Sequence, residues 1–240
     1  MLLQQAPKAM SEVTLCLTIG RRPQLLEQTL SSLLALFDFE EIIAINDFRD
    51  EPTNSVFRKL CPNGMLISLD RQLGHHRAID HMYGQVKTSH IMHCEDDWLF
   101  DQHFDLGRAF KLLASNSKIS QVCFRKVSDF NLNHSQHQEI LQCTSDGVDY
   151  FRLDSLHPQW HGYTFNPHLS SIKLWKDLGG FSKFKKERHV SRALRAEGRF
   201  SAYIQTGCCT HIGENLSVSP SAANPSPFRR LRKSIKGFFS

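Results

Sequence analysis

His90-Ile91-Met92-His93-Cys94-Glu95-Asp96-Asp97-Trp98-Leu99-Phe100 places three consecutive carboxylates at the end of a short apolar run, and bulky apolar residues resume at once. Ile91, Met92 and Cys94 read as a buried strand, so Glu95 to Asp97 would stand where it leaves an α/β sheet. Carboxylates about 5 Å apart repel by roughly 3 kcal/mol per pair at an effective dielectric near 20. Such a cluster is unfavourable there unless a cation, or a ligand rich in hydroxyl donors, shares the site. Ligands of open α/β sheets bind at that edge. The competing reading is a solvated acidic turn that caps the next helix.

The flanking sequence supplies the rest of a sheet. Residues 13 to 19 (VTLCLTI) read as a first strand, followed by the turn Gly20-Arg21-Arg22-Pro23, with Pro23 suited to a first helical position. Leu26, Leu30, Leu33 and Phe37 then repeat at helical spacing. Residues 41 to 46 make a second strand ending at Asp47, and residues 65 to 69 a third. Residues 74 to 86 make a helix whose apolar face carries Ile79, Met82, Tyr83 and Val86. After the acid turn come a helix over 104–114 and a strand over 119–125. Residues 129 to 162 are polar and read as a long loop with weak strand signals over 148–153. A helix over 187–196 stops at Gly198, and a strand over 200–204 leads to Thr210-His211-Ile212-Gly213. This alternation implies a mainly parallel, Rossmann-like α/β sheet flanked by helices.

Length and charge bound the class. A chain of 240 residues with 40% hydrophobic residues fits one large α/β domain plus a tail. No apolar run approaches the roughly 20 residues of a membrane span. The opening MLLQQAPKAM has neither the charged start nor the apolar core of a signal peptide, so the expected location is cytoplasmic. Seven cysteines without a C-x-x-C pair read as reduced core residues. The net charge of +5 reflects 29 basic against 24 acidic residues, and residues 228 to 240 hold five basics and no acid. The body is therefore neutral, which argues against nucleic acid as a partner.

The residues named so far carry a resemblance. Thr18-Ile-Gly-Arg-Arg-Pro23, a strand ending Asn46-Asp47, Gly74-His-His-Arg-Ala-Ile-Asp-His81, Glu95-Asp-Asp-Trp98, Phe165-Asn-Pro167, the spacing Glu187, Ser191, Leu194, Gly198, and finally Thr210-His-Ile-Gly213 together resemble a nucleotide-sugar glycosyltransferase. The likeness is to the GT-A fold in the broad family 2 of small bacterial transferases, over residues 13 to 217. It implies a donor site in which Thr18, Gly20 and Arg21 border the nucleotide base and Asp47 reads the base or ribose. Arg77 and Asp96 belong to the same donor-binding set, and Glu95 lies toward the ribose. Asp97 and His211 are implied as the contacts to Mn2+ or Mg2+, and Glu187 as the general base. A nucleoside diphosphate sugar would be the donor, and a saccharide or lipid-linked hydroxyl the acceptor, in surface polysaccharide or lipopolysaccharide assembly.

The residue types suit that chemistry. Cleaving a sugar–phosphate bond leaves charge on a diphosphate, which a divalent ion stabilises. The attacking hydroxyl must lose a proton, so one carboxylate outside the metal shell is needed. Phe181 and Phe184 beside Glu187 would raise its pKa. The departures are Glu95 for the usual first Asp, a single acid at Glu187-Arg188, and Asp80 where many relatives have Asn, which would alter nucleotide or donor contacts. Two rivals remain: a sugar-nucleotidyltransferase, and a non-catalytic nucleotide-sugar binding protein of the same fold. A zinc site built from His75, His76, His81, His90 and His93, or from Cys208, Cys209 and His211, lacks structural-zinc spacing. Trp160, beside His157 and His161, reads either as packing or as a platform for a sugar ring.

The domain is expected over residues 11–217, with a Pro/Ser/Ala linker over 218–227. Over 228–240 a basic tail follows in which Phe228, Leu231, Ile235 and Phe238 fall on one helical face. That pattern suits peripheral attachment to an anionic membrane at its cytoplasmic side.

Overall fold

The computed structural model describes residues 11–213. The linker and basic tail lie outside the described residues. Eleven strands and seven helices follow in chain order: β1 (Val13–Ile19), α1 (Pro23–Leu34), β2 (Glu41–Asn46), α2 (Glu51–Leu60), β3 (Met65–Ile67), α3 (His75–Tyr83), β4 (His90–Glu95), β5 (Trp98–Phe100), α4 (Leu106–Ser115) and β6 (Ile119–Cys123). After a 3-10 turn (Val127–Asp129) come α5 (His134–Gln138), β7 (Leu141–Ser145), β8 (Val148–Arg152), β9 (His168–Ser171), α6 (Ile172–Asp177), α7 (Glu187–Ala196), β10 (Phe200–Ile204) and β11 (Cys209–His211).

Nine strands form one sheet in the order β3-β2-β1-β4-β9-β6-β10-β8-β7. The β3-β2-β1-β4 half is parallel throughout. β9 then runs antiparallel to both β4 and β6, and the edge strands β8 and β7 are antiparallel as well. The sheet is therefore mixed, more so than the sequence pattern implies, because short polar strands such as β9 (HLSS) leave no run of apolar residues to read.

The central strands are apolar on both faces because helices cover both. Val13, Leu15 and Leu17 of β1 pack with Leu26, Leu30 and Leu33 of α1, Phe57 of α2 and Leu112 of α4. Cys16 of β1 and Ile91 of β4 face the opposite layer, with Ile79 and Met82 of α3, Leu174 of α6 and Val190 and Leu194 of α7. This period-2 division of a continuous apolar run marks a doubly covered sheet.

Two elements depart from the expected pattern. α2 stands where the chain was read as passing directly from strand to strand. Asp50 caps it by accepting from Thr53 N at 3.2 Å, and Pro52 sits in its first turn. The loop expected over 129–162 instead holds α5 and the β7–β8 hairpin. That hairpin closes on Asp146 and Gly147, both at positive φ (48° and 72°), the conformation a two-residue turn requires. All seven cysteines are free. No helix among the described residues is long and apolar enough to cross a membrane.

Candidate active site

The carboxyl ends of β1, β2 and β4 open into one cleft of about 1090 Å³. Thr18, Gly20, Asp47, Arg77, Glu95, Asp96, Asp97, Glu187 and His211 all line it. Residues as far apart as 18 and 211 are thus brought to one surface. Arg21 is the exception among the expected donor-site residues. Its guanidinium lies over the Phe48 ring, 4.7 Å from the centroid, and its neighbour Arg22 lines the cleft in its place.

The acid turn is held by backbone contacts from both sides. Gly20 N donates to Asp96 Oδ2 at 2.9 Å. A side chain at residue 20 would run into the Phe48 ring, so only glycine lets β1 approach so closely. On the far side β11 pairs antiparallel with β5, which sets His211 opposite Trp98. Ile212 N donates to the Asp97 carbonyl at 2.9 Å, and His211 Nε2 lies 3.0 Å from Asp97 Oδ2. Arg22 completes the turn with one guanidinium nitrogen on Asp96 Oδ1 and the other on Asp97 Oδ2. Asp97 Oδ1 is buried without a hydrogen-bond partner.

Asp47 accepts from Leu73 N at 2.6 Å and Gly74 N at 2.8 Å. It thereby pins the turn before α3, which carries Arg77. Thr18 Oγ1 is buried and unpartnered at the base of the cleft. Asp80 does not line the cleft. Its carboxylate accepts from Trp175 Nε1 (2.7 Å), Phe181 N (2.7 Å) and Ser182 N (2.8 Å). It therefore braces the turn that leads into α7 rather than touching a nucleotide. Gly180 in that turn has φ +85°, and a Cβ there would meet the Asp80 carboxylate at 2.9 Å.

Charge at the acid turn is unbalanced. Burial, reinforced by Asp97, Glu187 and Asp96, pushes the Glu95 carboxyl well above its ordinary range. Burial also lifts Asp96 to about 6, outweighing the attraction of Arg22 and the Gly20 N–H. Asp97 is lowered, because His211 and Arg22 overcome its own burial. Burial raises Glu187, and the Thr164 hydroxyl and Phe165 N–H pull the other way. The acid turn itself concentrates three carboxylates against the single guanidinium of Arg22, while Arg77, Lys185 and Lys186 line the same cleft elsewhere. Such a site stabilises a bound cation.

The donor set fits a hard divalent ion. Asp97 offers an orphaned buried oxygen, and His211 offers a ring nitrogen beside the second oxygen. Among the described residues no three His, Cys, Asp or Glu side chains already converge as a complete cage. One or two protein ligands with substrate phosphates as the remainder is the usual arrangement for Mg2+ and similar ions.

A second cavity of about 280 Å³ adjoins the first and is lined by Phe130, Trp160, His161, Tyr163, Thr164, Asn166, Glu187 and Tyr203. Glu187 belongs to both cavities. It stands at the start of α7, with the aromatic cavity on one side and the acid turn on the other.

No protein-family model matches the chain, and no curated protein matches it in sequence. Solved structures do match. The mannosyltransferase PcManGT from Pyrobaculum calidifontis, in complex with GDP-Man and Mn2+, superposes with a TM-score of 0.62 at 15% identity, over 86% of this chain and 58% of that one. The fold is shared with a glycosyltransferase. The present chain spans little more than half of that structure's length. As many as 188 solved chains match, and a fold shared so widely does not choose a substrate. That choice rests with the side chains.

Arg22, Phe48, Lys185 and Lys186 line the cleft without having been singled out in the sequence. Nothing in Gly20-Arg-Arg-Pro23 separates the two arginines. Arg21 adopts φ 61°, which turns the chain so that the second arginine, not the first, reaches the acids. His93, considered above for zinc, is a core residue bonded to the Tyr83 hydroxyl at 2.9 Å, and Cys208 and Cys209 are fully buried.

Proposed function

We propose that this chain is a metal-dependent glycosyltransferase of the GT-A type, akin to family 2, that moves a sugar from a nucleoside diphosphate sugar to an acceptor hydroxyl with inversion. The supporting observation is that Glu187 divides an acid-lined cleft from an aromatic-lined one. A donor and an acceptor need adjoining sites of that kind, with a base between them. The GDP-Man and Mn2+ held by the fold neighbour support a nucleoside diphosphate sugar and a divalent ion here.

In this reading Thr18, Asp47 and Arg77 hold the nucleotide, and Glu95 and Asp96 shape its sugar side. Asp97 and His211 hold Mn2+ or Mg2+. When bound, the ion neutralises charge on the departing diphosphate. Glu187 accepts the proton of the acceptor hydroxyl as that oxygen attacks the anomeric carbon. Its elevated pKa makes it a stronger base than a solvated carboxylate, which suits the task near neutral pH. The acceptor sugar lies in the aromatic cavity, where Trp160 and Phe130 offer flat apolar faces and Asn166 and Thr164 offer polar partners. The setting is surface polysaccharide or lipopolysaccharide assembly, with the basic residues 228–240 drawing the enzyme to the cytoplasmic face of an anionic membrane.

Donor cleavage with Mn2+, begun with GDP-mannose and extended to other nucleoside diphosphate sugars, tests the proposal. Asp97→Ala is expected to abolish turnover. Glu187→Gln is expected to lower transfer by about 10²- to 10⁴-fold while donor affinity is kept. Turnover that survives Asp97→Ala would remove the metal-site assignment, and an unchanged rate in Glu187→Gln would remove the base.

A further inference from the structure

The acid turn already contains a cation supplied by the chain. Arg22 reaches Asp96 with one nitrogen and Asp97 with the other, from a position at the rim of the cleft that leaves 14% of its side chain exposed. Burial works against its charge, and Asp96, Asp97 and Glu95 outweigh that penalty. The pairing is nevertheless incomplete, because Arg22 Nε and Asp97 Oδ1 are both buried without partners. A guanidinium with a fixed structural role ordinarily has its donors satisfied.

The oxygen that Arg22 takes on Asp97 is Oδ2, the same atom that lies 3.0 Å from His211 Nε2. That 3.0 Å is a hydrogen bond between the two side chains that would hold the ion. Arg22 sits against one of that ion's ligands, and two positive charges in so small a space repel strongly.

We propose that Arg22 is a displaceable counter-ion for the metal position. It holds Asp97 while the cleft lacks a donor, and it moves onto the donor's diphosphate when ion and nucleotide enter together. The inference rests on the metal-dependent reading above and adds to it an order of events. The ion alone binds weakly, because it must displace the guanidinium from Asp97, leaving it only Asp96. A nucleoside diphosphate offers that guanidinium a second anionic partner and so lowers the cost of eviction. Ion and nucleotide therefore bind with positive coupling, and Arg22 carries the coupling.

Equilibrium dialysis of the full chain against Mn2+, alone and with GDP or UDP in both compartments, measures this without turnover. Arg22→Gln removes the charge while keeping a single NH2 donor. It is expected to bind Mn2+ alone at least about ten-fold more tightly than the unaltered chain, and to lose most of the nucleotide coupling. Arg22→Lys keeps the charge and is expected to bind Mn2+ alone as weakly as the unaltered chain. Thermal melting supplies a second readout: Mn2+ is expected to raise the Tm of Arg22→Gln more than that of the parent. An Arg22→Gln protein that melts cooperatively yet binds Mn2+ alone no more tightly than the parent overturns the proposal and leaves the metal site standing. If neither protein retains Mn2+ even with GDP or UDP present, the metal-dependent reading fails and this inference falls with it.

Discussion

Replacing Asp80 by alanine tests whether a residue outside the cleft sets the position of the base. Asp80 accepts three hydrogen bonds, from Trp175 Nε1, Phe181 N and Ser182 N. Ser182 lies at the surface, so water replaces that bond at little cost. The Trp175 and Phe181 donors are part-buried and would be left facing a void. Hydrogen bonds to a charged group contribute about 1.5–3 kcal/mol each, so losing these two should cost at least about 3 kcal/mol. In a domain of roughly 200 residues that corresponds to a fall in Tm of about 10 °C. Asp80→Asn can keep its one oxygen on both Trp175 Nε1 and Phe181 N and turns its amide only toward the exposed Ser182 N, so it should lose well under half as much. Urea denaturation at constant m checks the figure. The turn braced by Asp80 feeds α7, so transfer should slow at temperatures where the variant is still folded, while nucleotide binding changes little. A stability loss under about 0.5 kcal/mol, within the range of ordinary surface substitutions, would refute the bracing argument.

Two further outcomes are expected. Trp160→Ala should raise the acceptor KM roughly ten-fold, the worth of one aromatic face, with donor affinity unchanged; competition assays that find the donor affected instead would place the wrong ligand in the aromatic cavity. His168 is fully buried between the Tyr163 hydroxyl and the Asn166 carbonyl, and burial depresses its pKa to about 4 from the usual 6.5. Its contribution to stability is complete above 6.5 and drains away as pH falls through 6.5 toward 4, about 2 kcal/mol of it gone by pH 5. His168→Gln should flatten that slope in urea titrations at pH 7 and pH 5, and parallel slopes would contradict it.

The parallel half of the sheet was legible because its strands are apolar runs ended by chemistry: VTLCLTI before Gly20, EIIAIN before Asp47, HIMHC before the acids. The burial that makes such strands readable also delivers their last residues to one edge, so most of the cleft could be named in advance. What escaped was short or depended on distant partners. β9 has four residues, two of them serine, and borrows its stability from β4 and β6. α2 (EPTNSVFRKL) buries little beyond Phe57, and its signal was the Asp50 cap with proline behind it. The Asp146-Gly147 pair is a strong hairpin signal, and it closes β7 on β8. Asp80 reads as one more polar helix residue until Trp175 and the turn at Phe181 close around it. Arg22 could not be told from Arg21 without the backbone angle that separates them.

The ribbon of β5 and β11 joins residues 98–100 to residues 209–211, so Asp97 meets His211 only when the far end of the domain has docked. A chain emerging from the ribosome would expose the acid turn after its first hundred residues, yet the proposed metal site would lack His211 until more than another hundred had followed. If the proposed site holds an ion, partly synthesised or clipped forms would hold it less well than the finished domain. Metal occupancy would then report complete folding, and chelation would be expected to loosen the β5–β11 ribbon first.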